Sequence, residues 1–292
     1  MKSGRLPRKA WKTCTAERCK RKGAPLGKVW AFFVRDFLWE LSYPLVPLWR
    51  WGGIVFRLVT FYFLGVLISP GASSYLAPYG GYYFPFVVLG LALASFQEVA
   101  LTSVSESISY GMHTGTLEIM LATPTSLSTI VFSSVLYQFS IAALEILLYL
   151  AFGAWFFNLS LAQANIPATA AFLLLALLAH LPLGIISAGF LLIFKRGSPI
   201  TVLFGHFSAL LGGVYFPVQV LPGWLQSLSF FIPFTHALEG LRQAVINGKG
   251  LLELKTPAAV LCILAAVLMP LSLAFFAWAV RQAKRLGTLS QY

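Results

Sequence analysis

The chain has 292 residues, of which 58% are hydrophobic and 10% charged, whereas soluble domains run at about 45–50% apolar and about 25% charged. That balance excludes an ordinary soluble domain. The net charge of +12 comes from 21 Lys and Arg against 9 Asp and Glu, but thirteen of the basic residues lie at or before Arg57, so the basicity belongs to one end. Residues 58–194 contain no Lys or Arg, and their apolar runs are long enough to cross a bilayer several times.

Residues 1–25, with Lys20, Arg21 and Lys22 inside, read as a disordered basic arm rather than a signal peptide, because no apolar stretch follows the first charges. Such an arm suits anionic cytoplasmic lipid or an acidic partner, not nucleic acid. Cys14, Cys19 and Cys262 offer neither a disulfide framework nor a zinc-ligand spacing and read as free thiols. Residues 26–50 comprise an amphipathic helix and a linker. At about 100° per residue, Leu26, Trp30, Phe33, Phe37 and Leu41 share one arc and Lys28, Arg35, Asp36 and Glu40 the opposite one. This pattern predicts a helix over 26–41 lying in the membrane surface, ended by Pro44 and Pro47.

A transmembrane domain then occupies 51–280, and the expected fold is all-α with six spans: 51–68, 80–101, 127–157, 168–194, 199–216 and 257–280. A cytoplasmic tail, 281–292, ends the chain. Between the last two spans, 217–240 is too apolar for a free loop, yet Pro217, Pro222 and Pro233 cut it into pieces too short to cross. It reads as a re-entrant segment, returning to the side it entered. Placing both termini in the cytoplasm puts 17 of the 21 basic residues inside and leaves Arg242, Lys249 and Lys255 outside, as the positive-inside rule requires. No internal repeat marks the inverted halves common in secondary transporters.

The cytoplasmic loop 102–126 opens with Ser103–Glu106, which fits a capping box at a helix start, and continues with a short amphipathic helix from Gly115 stopped by Pro124. It carries Glu106 and Glu118 but no Lys or Arg. An acidic helix across the membrane end suits docking to another protein; a plain connector is the alternative, although this loop is several times the usual length of about 4–6 residues.

Two strings carry a family resemblance: G-T-L-E-x-x-x-A-T-P, holding Gly115, Thr116, Leu117, Glu118 and Pro124; and G-G-V-Y-F-P-V-x-x-L-P-x-W-L-Q-x-L-S-x-x-x-P-x-T-H-x-L-E-x-L-R. The second string runs from Gly212 to Arg242 and holds Phe216, Pro217, Leu221, Pro222, Trp224, Pro233 and His236. With the basic arm, surface helix and six spans, the chain resembles permease subunits of type-2 ABC exporters from Lys28 onward. The resemblance implies a permease in a bacterial cytoplasmic membrane, paired with a second copy or a homologous permease and with two copies of a separate ATPase that holds ATP and Mg. It implies that the loop around Gly115–Pro124 couples to that ATPase, that the surface helix also touches it, and that Phe216–Gly240 caps the pathway. An amphipathic, lipid-linked or drug-like substrate would leave the cytoplasm or inner leaflet. A stand-alone secondary transporter or channel is the rival reading.

The residues agree that catalysis lies elsewhere. The nearest approach to a phosphate loop, Gly23–Val29, is one residue short and ends in Val, and no zinc-protease or serine-hydrolase string occurs. No cofactor or metal is expected on this chain. Charges within spans are expensive and placed for a reason. Arg57 and Glu98, at similar depth near the inner face, are expected to touch. Glu145 and His180, near the centres of the third and fourth spans, are either a hydrogen-bonded acid and a packed imidazole beside Pro182, or polar contacts in a substrate pathway.

Overall fold

The computed structural model describes residues 45–68, 74–113, 127–157, 161–194 and 199–285, with isolated positions between 30 and 43. Among the described residues it is all-helical. The helices are α1 (Leu45–Leu67), α2 (Tyr83–His113), α3 (Leu127–Phe157), α4 (Ile166–Phe194), α5 (Pro199–Leu211), α6 (Gly223–Phe230), α7 (Pro233–Ile246) and α8 (Lys255–Arg285), with 3-10 turns at Ser74–Tyr79 and Val218–Val220. The basic arm, most of the surface helix, residues 114–126 and the tail beyond Arg285 lie outside the described residues.

Five of these helices are long and apolar enough to cross a membrane: α1, α2, α3, α4 and α8. The fifth expected span, 199–216, is instead a 13-residue helix, about 20 Å long at 1.5 Å per residue and too short for a core of about 30 Å. It stops at Gly212–Gly213, where Gly213 takes φ +85°, a conformation that glycine adopts without steric penalty. At the first span the helix starts earlier than Trp51, because Pro47 falls in its first turn, where a missing N–H costs nothing. Arg50 is therefore helical rather than part of a linker.

The larger correction concerns α2. Its 31 residues run unbroken to His113, so Ser103–Glu106 is helix interior and not the start of a new helix. Polar composition alone does not end a helix, and α2 continues through Gly111 with no Pro in this stretch; the Ser105 hydroxyl bonds back to the Thr102 carbonyl at 2.9 Å. For α4 the start is set by Asn165, whose side-chain oxygen accepts from the Ala168 amide at 3.1 Å, an N-cap.

The core is organised around α2, which packs on α3 and α4, while α4 also packs along α8. Phe86, Val87, Leu89, Leu93 and Tyr149 are fully enclosed, whereas α1 and α8 present most of their apolar surface outward, with Phe56, Leu67 and Val267 exposed. Such a girdle marks a surface that meets lipid or another protein. Helix α7 climbs α4 in the opposite direction. Its first turn meets the middle of α4, Phe234 edge-on to His180 at 6.2 Å; Gly240 lies against the Phe172 ring; and the Ala244 carbonyl accepts from the Asn165 amide at 2.9 Å. From Phe234 to Ala244 is ten residues, so α7 rises about 15 Å along its neighbour. From the N-terminal region, Phe33 is helical and sets its ring edge on Tyr137 of α3 at 5.4 Å.

Candidate functional site

A polar seam runs between α1 and α3. Arg50 and Arg57 lie seven residues apart, two turns along one face of α1, and Glu145 and Tyr149 lie one turn apart on α3. The Arg50 guanidinium meets the Glu145 carboxylate at 3.4 Å, with the Glu145 side chain only 8% exposed. Arg57 donates to the Tyr149 hydroxyl at 3.4 Å, and Ser95 of α2 donates to the same oxygen at 3.4 Å. Glu98 is exposed and acts on Arg57 through its field. The expected Arg57–Glu98 contact is therefore not a direct ion pair, because α2 carries Glu98 away from the seam while Tyr149, wholly buried, offers a nearer acceptor. Arg50 and Tyr149 were missed from sequence. The signal for both was their spacing, seven residues from Arg57 and four from Glu145.

His180 is 1% exposed. Its Nδ1 lies 2.7 Å from the Ala176 carbonyl and so carries the proton, leaving Nε2 buried with no hydrogen-bond partner. The imidazole thus packs between α4 and the first turn of α7.

The proline-cut segment forms a compact cap. Pro217 precedes the 3-10 turn at Val218–Val220, and Phe216 beside it is half-buried. Pro222 sits at the N-cap of α6, with Trp224 exposed beyond it. Gln226 reaches back to the Leu221 carbonyl at 2.7 Å, and Pro233 opens α7 at its first position, where proline suits a helix. His236 Nε2 lies 2.7 Å from the Phe230 carbonyl and ties α7 to the end of α6.

Arg242 departs most from expectation. Assigned to the exterior side, within the re-entrant segment's motif, it is 3% exposed. Its Nε and Nη2 donate to the Phe86 carbonyl at 3.1 and 2.8 Å, and Nη2 also reaches the Val214 carbonyl at 3.2 Å. Its guanidinium carbon lies 3.4 Å from the Phe86 ring centroid, a cation–π contact. Gly90 makes room: a Cβ there would stand 2.7 Å from the Val214 carbonyl and 3.0 Å from Nη2 of Arg242. One turn earlier on α7, Glu239 accepts from the Tyr79 hydroxyl at 2.6 Å and from Gln243 at 3.0 Å. Asn247 continues the chain to Gln243 and to the Pro78 carbonyl, at 2.6 and 2.8 Å. Burial, and then the Glu239 carboxylate, push the Tyr79 phenol up to about 12, so it stays a donor. These bonds fasten α7, the 214 turn, the 74–79 turn and the start of α2 into one unit.

Of the residues expected to couple to a partner, Glu106 is exposed on the far part of α2. Gly115, Thr116, Leu117, Glu118 and Pro124 lie outside the described residues. Among the described residues, no three His, Cys, Asp or Glu side chains gather as metal ligands.

No curated protein matches the chain. The family model for the ABC-2 type transporter does match, over residues 28–246, a stretch that takes in the polar seam, the residues after α2 and the whole proline-cut segment. With its apolar helices, that match makes the chain a multi-pass membrane protein and a transport component of the kind that associates with an ABC ATPase. The chain belongs to the ABC-2 type transporter family.

Proposed function

We propose that this chain is the permease subunit of an exporter driven by a separate ATPase, acting beside a second permease and moving an amphipathic, lipid-linked or drug-like molecule out of the cytoplasm or inner leaflet. The family match over 28–246 carries this reading. ATP and Mg act on the partner. Both termini are cytoplasmic, as the charge distribution favours, and the membrane is the bacterial cytoplasmic membrane.

The lengths of α2 and α3 support a coupling role for the segment between them. Each has 31 residues, about 46 Å against a hydrocarbon core of about 30 Å. A stalk of two helices thus stands beyond the bilayer at the end where α2 finishes and α3 begins, and residues 114–126 join its tips. Closure of the ATPase pair on ATP presses there, and the stalk transmits the displacement to the bundle as a shear of packed helices. At the opposite end, α5 and α7 together make a composite sixth crossing. Helix α5 rises about 20 Å and α7 climbs from the level of His180 to that of Asn165. The segment between them turns back into the membrane and caps the pathway.

Glu118→Arg tests the coupling. The permease still inserts and dimerises, but co-purification with its ATPase and ATP-driven transport are lost. Normal co-purification and transport in that variant would refute the docking role. A chain that transports without any ATPase would instead favour the stand-alone reading.

A further inference from the structure

Where α1 ends and α2 begins, the bundle leaves a cavity of about 610 Å³, within the range of about 300–1,000 Å³ typical of small-molecule sites. One wall is a continuous aromatic surface: Tyr62 meets Phe84 at 5.5 Å and Phe157 at 4.6 Å, and Phe84 meets Phe157 at 5.2 Å. Around it stand the phenols of Tyr82 and Tyr83 and the amide of Gln163, and none of these three side chains is hydrogen-bonded to another described residue. Among the described residues, no Asp, Glu, Lys, Arg or His lines the space. The phenol of Tyr79 is already committed to Glu239. On the α1 side, Val66 of the lining is 63% exposed, so the cavity communicates with the surface that faces lipid.

These features select a ligand chemistry. A charged group would lose its hydration and find no counter-charge. A purely apolar chain would leave the half-buried Tyr83 phenol without a partner and would displace water from the exposed Tyr82 and Gln163 at the rim. The position is that of an interfacial aromatic belt, where one end of a molecule is apolar and the other wet. We infer that this cavity is a binding site for an uncharged amphiphile with a hydroxyl-bearing head, its apolar part against the Tyr62–Phe84–Phe157 wall and its hydroxyls on Tyr82, Tyr83 and Gln163. This goes beyond the transport reading and does not rest on the ATPase partner.

The test uses the full-length chain in phosphatidylcholine nanodiscs with a photoreactive alkyl glucoside, the labelled peptides being located by mass spectrometry. Label is expected in residues 79–85 and 157–163, displaced by octyl glucoside but not by octyl sulfate or octyltrimethylammonium at equal concentration. Gly65→Phe fills the cavity from α1, since a Cβ there would sit at ordinary contact distance, 3.5 Å, from the Phe84 Cβ, and it removes this label while leaving others. Gln163→Leu, at an exposed rim position that does not threaten folding, weakens displacement by octyl glucoside about threefold, the loss of one neutral hydrogen bond. Equal displacement by the charged amphiphiles, or label at these peptides unchanged in both variants, would overturn the assignment. In the complex with the ATPase, label that rises with ATP turnover identifies the occupant as the transported molecule, and label indifferent to ATP identifies it as membrane lipid; either supports the site. Because the first experiment needs no ATPase, its failure is separable from failure of the coupling scheme.

Discussion

Replacing Arg242 by Met tests whether the cap is held by one side chain. The substitution keeps most of the apolar stem and removes three donor contacts: two to the Phe86 carbonyl and one to the Val214 carbonyl. The two acceptors are not equally exposed to this loss. Phe86 lies in the first turn of α2, and its carbonyl keeps the amide four residues on. Val214 lies in the turn after Gly213, and its carbonyl is left in a buried position, which costs about 1–3 kcal/mol. Adding about 1–2 kcal/mol for the charge-assisted bonds and ring contact at Phe86 gives a destabilisation of about 2–5 kcal/mol. For a protein of this size, each kcal/mol lowers Tm by about 2–4 °C, so the expected fall is on the order of 4–20 °C. Unfolding from detergent is irreversible, so the readout is an apparent midpoint at a fixed heating rate, taken as the monodisperse fraction surviving each temperature. Arg242→Lys, which can serve one carbonyl but lacks the planar fork, should fall between Met and wild type. A shift below about 2 °C for Arg242→Met would show that the turn and α2 hold together by packing alone, and would sink the argument.

Three further outcomes follow from the same geometry. Gly240→Ala drives a Cβ into the ring of Phe172, which is 1% exposed and has nowhere to move; the cost is about 1–3 kcal/mol of overpacking, and Phe172→Leu in the same chain should return part of it. A Gly240→Ala protein as heat-stable as wild type would contradict the close approach of α7 to α4. Across the Arg50–Glu145 pair, a double-mutant cycle with Arg50→Gln and Glu145→Gln should give a coupling of about 0.6–1.7 kcal/mol, the range found for polar contacts between membrane helices; strictly additive losses would deny the pair. Tyr79, with its folded value raised to about 12 from 10.0, stays neutral in the native state while the unfolded chain ionises. Its contribution is therefore complete below pH 10 and is lost as pH rises toward 12. Tyr79→Phe should remove that part of the alkaline loss of stability, and an unchanged alkaline slope would count against the buried Tyr79–Glu239 bond.

What could be read from sequence was set by which forces leave a trace in residue order. Apolar run length does, so α3 was placed at its observed limits, 127–157, and α4 within two residues of its start. The far third of α2 was lost because Ser and Thr were taken to end a helix, whereas their hydroxyls can bond to their own backbone, as Ser105 does. The cap was legible as an irregular segment because Pro217, Pro222 and Pro233 each mark an element boundary. The burial of Arg242 was not, because its acceptors are backbone carbonyls, which no residue type announces.

The expected Arg57–Glu98 pairing and the expected exterior placement of Arg242 fail for a common reason. Inside a bundle an arginine needs several acceptors placed around a fork more than it needs one carboxylate. Arg57 found a tyrosine oxygen, and Arg242 found carbonyls that a glycine turn and the close contact at Gly90 bring within reach. Gly212–Gly213 followed twenty-nine residues after Gly213 by Arg242 is thus more informative as a unit than the arginine alone. The glycines turn the Val214 carbonyl inward, and the arginine returns to meet it. The same arrangement constrains how the cap can open. Moving the 214 turn away from α2 strands either that carbonyl or one arm of the guanidinium unless water enters as they part, so under the proposed function opening of the pathway and hydration of this site have to occur together.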